Sequence, residues 1–293
     1  MSELRRGVDL HTHSRRSDGT TTPAETARLA AVEGLEGIAL TDHDTTVGWA
    51  EAAGVCDEAG LRFVPGVELS TELSGRSVHL LGYFVDPAYA PLVAECDRLF
   101  NERTRRAEAI VAKLQQMNVT IAFDDVVARA DGAPVGRPHI AACMVAAGVV
   151  EDLDGAFDGY LEDGGPAYVP KHALDPADGV ALITAAGGAA VLAHPGISTR
   201  DAPVDLELLD RLVTAGLGGV EADHAAHGDD ARNFWRNAAR ERNLCITGAS
   251  DFHGTRKDTR IGAATTTSDV VDALERLAVA ATLAAGNTKE TAW

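Results

Sequence analysis

Aromatic side chains are scarce, at 5% of the 293 residues. Few platforms for stacked bases follow, and the obvious candidates, Phe157, Tyr160 and Tyr168, are residue types more often found in a core. Positive charge is also scarce: 26 Lys and Arg stand against 44 Asp and Glu, leaving a net charge of −18. That balance argues against a long duplex nucleic acid as partner, because such binding depends on cationic contacts to phosphates. A small anionic ligand stays compatible if metals or a local Arg neutralise it. Four scattered cysteines, Cys56, Cys96, Cys143 and Cys245, include no Cys-x-x-Cys. They read as buried reduced thiols of a cytosolic protein. The apolar runs are broken by Gly or charge short of a membrane span, and the first residues, Met-Ser-Glu-Leu-Arg-Arg-Gly, carry no apolar signal region. A soluble, cytoplasmic protein is expected. There is no internal repeat and no low-complexity segment.

What is present is a sizeable core, with 45% apolar and 24% charged residues. The length suits one large α/β domain, or one domain carrying an insertion. Val8-Asp9-Leu10-His11-Thr12-His13 reads as a short buried strand ending in two histidines one residue apart. Positions i and i+2 of an extended chain point to the same side, so both imidazoles reach one point past the strand end. Two imidazoles aimed at one point suit Zn, Fe or Mn. By itself the pair is equally compatible with chance at the end of a core strand.

The rest of the chain shifts that balance. Thr22-Pro23-Ala24-Glu25 opens a helix with a capping box and a proline in the first turn. Further strands are predicted at Gly37–Leu40, Arg62–Val67, Val78–Tyr83, Ala189–Ala193, Gly219–His224 and Cys245–Ser250, most of them followed by a helix. This alternation is the signature of parallel βα units, closed into a barrel or lying open as a sheet. Between residues 98 and 185 the alternation stops. A long helix from about Pro91 to Met117 leads into shorter helical pieces, separated at Asp131–Pro134, Asp163–Pro166 and Asp175-Pro176. We therefore divide the chain into a host domain at 1–97 and 186–293, interrupted by a mostly helical insertion at 98–185.

In a βα barrel the site lies at the C-terminal ends of the strands. His11, His13, His43, Glu68, His194, Asp251 and His253 fall on or just past those ends. Asp18 lies in the first loop, and His79 lies inside the fourth strand. Six of the ten histidines belong to this set, which scattered core or surface histidines would not do. A carboxylate such as Glu68 can bridge two cations. Bridged cations lower the pKa of a shared water, make hydroxide available, and stabilise the entering and leaving oxygens of a displacement at phosphorus.

His11-x-His13, the turn Thr41-Asp42-His43-Asp44, Gly66-x-Glu68, His194-Pro195 and Ser250-Asp251-x-His253, taken in that order, resemble the polymerase and histidinol phosphatase (PHP) superfamily of metal-dependent phosphoesterases. The resemblance spans nearly all of the host domain. With Gly136-Arg137-Pro138-His139 and Gly165–Pro170, the insertion is similar to the branch that holds nucleotide 3′-phosphatases and a 5′→3′ exonuclease of short RNA. The resemblance implies a distorted seven-stranded (β/α) barrel with two or three divalent ions. One ion would take His11, His13, Glu68 and Asp251. A second would share Glu68 and add His79 and His194. A third would take Asp18, His43 and His253; many relatives carry His where Asp18 stands.

Arg137 is the candidate phosphate clamp, since a guanidinium fork matches two phosphate oxygens; a surface Arg at a helix start is the alternative. His224 could donate to phosphate or protonate the leaving oxygen, or simply serve as a loop histidine. Arg15 and His139 are further candidate substrate contacts, with His172 and His227 of lower weight. The expected activity is phosphomonoester hydrolysis by metal-bridged hydroxide on a small nucleotide, first of all the 3′-phosphate of nucleoside 3′,5′-bisphosphates. The alternatives are a short-RNA 5′→3′ exonuclease, a phosphatase for histidinol phosphate or a cyclic sugar phosphate, and a non-catalytic accessory module. The complete ligand set argues against the last.

Overall fold

A computed structural model describes residues 6–74, 76–130, 135–162, 164–170, 174–197 and 204–284. The chain splits into two compact units, one formed by residues 1–96 and 174–293 and the other by 97–173. His172, the Asp131–Pro134 break and the C-terminal tail from Gly286 lie outside the described residues.

The first unit is built on a seven-stranded sheet whose spatial order equals its sequence order. The strands are β1 (Arg6–Asp9), β2 (Leu35–Leu40), β3 (Arg62–Leu73), β4 (Arg76–Tyr83), β5 (Ala189–Leu192), β6 (Gly219–Val220) and β7 (Cys245–Ile246). β1, β2 and β3 run parallel, as do β5, β6 and β7. β4 is antiparallel to both of its neighbours, the exception among the otherwise parallel pairs of the sheet. The reason is length. Only Ser74 and Gly75 separate β3 from β4, whereas a parallel crossover needs about a dozen residues. Ser74 makes the turn at φ 53°. β3 also runs on to Leu73, so Glu68 sits inside a strand, opposite Leu81, rather than past a strand end.

The sheet curls, and the segment after β7 returns to β1. Val8 and Thr266 exchange two backbone hydrogen bonds of 2.8 Å, and His13 N donates to Phe252 O at 2.8 Å. These are isolated bridges rather than a ladder, which gives the barrel its distortion. Val8, Leu10, Ala39, Val64, Leu81, Tyr83 and Val191 form its buried core, and the Tyr83 hydroxyl donates to Leu10 O at 2.8 Å.

Helices α1 (Pro23–Val32) and α2 (Trp49–Ala59) flank the parallel start of the sheet. α1 opens as its sequence dictates: Glu25 N donates to Thr22 Oγ1 at 3.1 Å, and Thr22 N to Glu25 Oε2 at 2.8 Å. α2 stops at Gly60, which takes the left-handed φ of 65°. Helix α3 (Ala90–Gln116) belongs to the first unit up to Cys96 and to the second from Asp97.

The second unit adds α4 (Phe123–Ala130), α5 (Arg137–Ala146) and α6 (Leu153–Ala156), with a π-turn at Phe157–Leu161. Its core comprises Ile110, Leu114, Val126, Ile140, Met144 and Leu161. Phe157 and Tyr160 pack against that core, and Tyr168 lies under the Arg106 guanidinium at 5.7 Å.

The far boundary of the helical segment falls after residue 173 rather than 185. Helix α7 (Pro176–Ala185) belongs to the sheet. A Cβ on its Gly179 would stand 2.7 Å from Thr71 Cγ2, and Ile183 closes on Gly82 of β4. Helices α8 (Leu206–Thr214), α9 (Asp229–Glu241) and α10 (Ser268–Ala284) complete the first unit. Among the described residues no helix is long and apolar enough to cross a membrane.

Candidate metal centre

Backbone alternation past β1 sets the centre. Thr12 turns away from it, its Oγ1 donating to Ala39 O at 2.7 Å, so His11 and His13 share the opposite side. Their ring centroids lie 5.1 Å apart, and both rings are fully buried. Glu68 of β3 and His79 of β4 reach the same place from the antiparallel hairpin. His43 follows β2 and forms a bridge with Glu68. His194 and Asp251 follow β5 and β7 at φ 27° and 55°, values that non-glycine residues seldom adopt. Such conformations cluster where a side chain must be turned into a site.

Glu68 divides the histidines between its two oxygens. Oε1 lies 2.9 Å from His79 Nδ1 and 3.1 Å from His194 Nε2. Oε2 lies 3.3 Å from His11 Nε2, 3.1 Å from His13 Nε2 and 3.1 Å from His43 Nδ1. This is the placement a carboxylate shared by two cations needs. Asp18 Oδ1 lies 3.2 Å from His253 Nε2, and His13, Asp18, His43 and His253 bring their ligand atoms within 4.8 Å of one another. His11, His13 and Glu68, and His43, Glu68 and His79, form two further groups of the same kind.

The tautomers say what such a cluster lacks. His11 Nδ1 donates to Glu221 Oε1 at 3.0 Å, and His253 Nδ1 to Asp251 O at 2.8 Å. Their Nε2 atoms therefore carry lone pairs when the rings are neutral. His11 Nε2 faces His13 Nε2 at 3.0 Å, and His253 Nε2 faces a carboxylate. Acceptors aimed at acceptors in a dry site require cations or extra protons. Protonation answers in part. Burial opposes a charge on His13, but the carboxylates of Asp251, Glu68 and Asp18 outweigh it and push its pKa to about 9. His11 is raised in the same way, chiefly by Glu221 and Glu68 against its burial. Burial likewise works against the charges on Glu68, Asp251 and Asp18, yet the surrounding imidazoles hold all three well below the usual carboxylate range. The donor set, imidazole nitrogen with carboxylate oxygen, fits divalent Mn, Fe or Zn.

A family model described as the PHP domain matches residues 9–121. A 3′,5′-nucleoside bisphosphate phosphatase of Chromobacterium violaceum is 36% identical over 248 residues, which cover 84% of this chain and 87% of that protein. The chain belongs to the PHP family. A 5′-3′ exoribonuclease of Haemophilus influenzae is 34% identical over 245 residues, covering 84% of this chain and 89% of that one. The solved structure of a protein assigned as a metal-dependent phosphoesterase, from Bifidobacterium adolescentis, is similar at a TM-score of 0.86 and 33% identity, over 94% of this chain and 97% of that chain. This PHP protein is a metal-dependent phosphoesterase, and its cluster of His, Asp and Glu is capable of binding metals.

Around the PHP centre stand residues that sequence reasoning did not single out. Glu221, fully buried after β6, accepts from His11 Nδ1 and, through Oε2, from His194 N at 2.9 Å. One carboxylate thus orients a histidine from β1 and another from β5. Asp9 accepts from Ser250 N, Ser250 Oγ and Gly262 N at 3.0, 2.6 and 2.8 Å, tying β1 to the loop that presents Asp251. Its burial pushes its pKa up to about 6. Asp42 accepts from Ser14 N and Oγ and from Ser17 Oγ, which shapes the loop carrying Asp18. A usable signal existed in each case: an acid inside an apolar strand or directly beside a ligand. Lys257 and Arg256 had no such signal, because a loop cation has no periodicity.

The remaining candidates divide. His224 lies with the centre, its ring 6.5 Å from that of His11 and its Nε2 3.5 Å from Asp251 Oδ2. Its Nδ1 accepts from Ala226 N at 3.0 Å, so Nε2 carries the hydrogen. His227 is tied to backbone, donating through Nδ1 to Ala222 O and accepting at Nε2 from Gly196 N. Arg15 is exposed, and its Nε donates to Thr20 O at 3.1 Å. Arg137 and His139 belong to the second unit. Arg137 Nη1 donates to Leu161 O at 2.9 Å, and His139 Nδ1 accepts from Gly136 N at 3.2 Å at the start of α5.

Proposed function

We propose that this PHP phosphoesterase hydrolyses a phosphomonoester of a small nucleotide, first of all the 3′-phosphate of nucleoside 3′,5′-bisphosphates. The observation that carries the reading is the likeness to the Chromobacterium violaceum bisphosphate phosphatase along 84% of the chain. The net charge of −18 and the few aromatic residues favour a mononucleotide or very short oligonucleotide.

Two or three divalent ions, Mn, Fe or Zn, are assigned to three ligand sets. These are His11, His13, Glu68 and Asp251; Glu68, His79 and His194; and Asp18, His43 and His253. Bound there, the ions would supply an activated water and charge compensation on the phosphate oxygens. The chain's own residues do the rest. Glu68 holds two sets together through its two oxygens, and Glu221 keeps the His11 lone pair pointing inward. His224, with its hydrogen on Nε2, is assigned as the donor to a phosphate oxygen or to the leaving oxygen. Arg137 is assigned the phosphate clamp on the chemistry of its fork. Arg15 and His139 are retained as lesser substrate contacts.

A phosphate-release panel on metal-analysed protein, with and without added Mn²⁺, tests the reading. It holds 3′,5′-bisphosphate nucleotides, 5′-monophosphates, a 5′-phosphorylated trinucleotide, histidinol phosphate and a cyclic sugar phosphate. The bisphosphate nucleotides should give the highest kcat/KM. Preference for the trinucleotide would move the protein to the exoribonuclease reading, which the Haemophilus influenzae relative favours. No turnover of any of them by metal-loaded protein overturns the substrate class.

A further inference from the structure

Asp251 shows its two oxygens to different company. Oδ1 faces the imidazole cluster, 3.6 Å from His11 Nε2, 3.4 Å from His13 Nε2 and 3.3 Å from His253 Nδ1. Oδ2 faces His224 Nε2 at 3.5 Å and the Lys257 ammonium, which donates to it. Lys257 follows the 3₁₀ turn Gly254–Arg256, and its side chain is 42% exposed where Asp251 is 7% exposed. It therefore reaches the centre from the solvent side, while the imidazoles arrive from the strand ends. The neighbouring Arg256 behaves alike, with Nη1 3.8 Å from Asp18 Oδ2. One loop thus lays two cations against two carboxylates of an otherwise acid-and-imidazole centre.

We propose that Lys257 is an exchangeable cation and a phosphate-binding residue: its ammonium neutralises Asp251 until a metal is bound there, and then takes an oxygen of the substrate phosphate. The proposal rests on the metal-centre reading above. Its chemistry is simple. An ammonium has three donors, no acceptor, and a flexible stem, so it can trade one oxyanion for another without repacking. A divalent ion on Asp251 drains the negative charge that holds the ammonium. An arriving phosphate restores a partner of the same kind at the same place. His224 Nε2, which carries the hydrogen and is a buried donor without a hydrogen-bond partner among the described residues, lies 3.5 Å from the same Oδ2, so a second donor stands beside the ammonium. No proton changes hands, and Lys257 stays charged throughout.

Exchange has a sign that a structural lysine lacks. Removing the ammonium removes a competitor for the metal and a ligand for the phosphate, so the two affinities should move in opposite directions. Chelator-treated wild type, Lys257→Met and Lys257→Arg are titrated calorimetrically with Mn²⁺, and the Mn²⁺-loaded proteins with inorganic phosphate. Lys257→Met should bind Mn²⁺ about two- to fivefold tighter, the scale of a half-exposed ion pair. It should bind phosphate about tenfold more weakly, the scale of a charge-assisted hydrogen bond. Lys257→Arg should restore most of the phosphate affinity. Unchanged phosphate affinity in Lys257→Met overturns the proposal, and so does weaker Mn²⁺ binding. Wild type that takes up no Mn²⁺ overturns the metal centre itself, an outcome distinct from the other two.

Discussion

Replacing Glu221 by glutamine keeps the volume and removes the charge. In the native protein its two oxygens accept from His11 Nδ1 at 3.0 Å and from His194 N at 2.9 Å, in a fully buried position. Glutamine has one acceptor oxygen. With its oxygen at the Oε1 position, glutamine turns its NH₂ group on His194 N. With its oxygen at the Oε2 position, it keeps His194 N at 2.9 Å and His11 Nδ1 only at the longer 3.3 Å, with the NH₂ group 3.0 Å from His11 Nδ1. A buried donor left without its acceptor costs about 1–3 kcal/mol of stability. The loss of charge also lowers the basicity of the His11 lone pair, and carboxylates behind a metal-binding histidine are typically worth about 10- to 100-fold in metal affinity. At 1.36 kcal/mol per decade, that is about 1.4–2.7 kcal/mol. The assay is competition for Mn²⁺ against a chelating dye, with thermal melts of the metal-free proteins alongside. Glu221→Gln should lose Mn²⁺ affinity within that range and recover phosphatase turnover as Mn²⁺ is raised. Affinity within twofold of wild type, in a variant that folds, would refute the role given to Glu221.

Three further outcomes are expected. In metal-free protein the His13 pKa is pushed from 6.5 to about 9 by Asp251, Glu68 and Asp18, whose attraction exceeds the opposing effect of burial. That stabilisation is complete below pH 6.5 and disappears as pH rises through 9, a loss of about 3 kcal/mol; a Tm of chelator-treated protein that stays level or climbs from pH 6.5 to 9 contradicts it. Gly37→Ala should cost about 1–3 kcal/mol in a urea titration, because the new Cβ would stand 2.2 Å from Arg62 O on the paired strand; an unchanged midpoint would mean β2 and β3 can part without penalty. Thr22→Ala removes the oxygen that accepts from Glu25 N and should lower stability by about 1 kcal/mol, read from the same titration.

Much of the centre was legible because its chemistry obeys local rules. His11 and His13 share a side by strand alternation. The α1 capping box and the αL stop at Gly60 are written in a few adjacent residues. The seven strands were visible as apolar runs bounded by turns. The antiparallel β3–β4 hairpin was missed because an apolar run has no direction. Its direction follows from the two residues that connect the strands, and these force a reversal.

The far edge of the helical segment was missed for a related reason. α7 looks like any helix in sequence, and its allegiance is decided by Gly179 and Ile183 meeting Thr71, Leu80 and Gly82, residues about a hundred positions earlier. Sequence by itself determined which donors this chain owns and where each sits on its own strand. Tertiary structure decided that Glu68 would split five imidazoles between its oxygens, that Glu221 would orient His11 from 210 residues away, and that a loop lysine would touch Asp251. Those facts are distances between side chains remote in sequence, and such distances are set by sheet closure and packing, which no local pattern encodes.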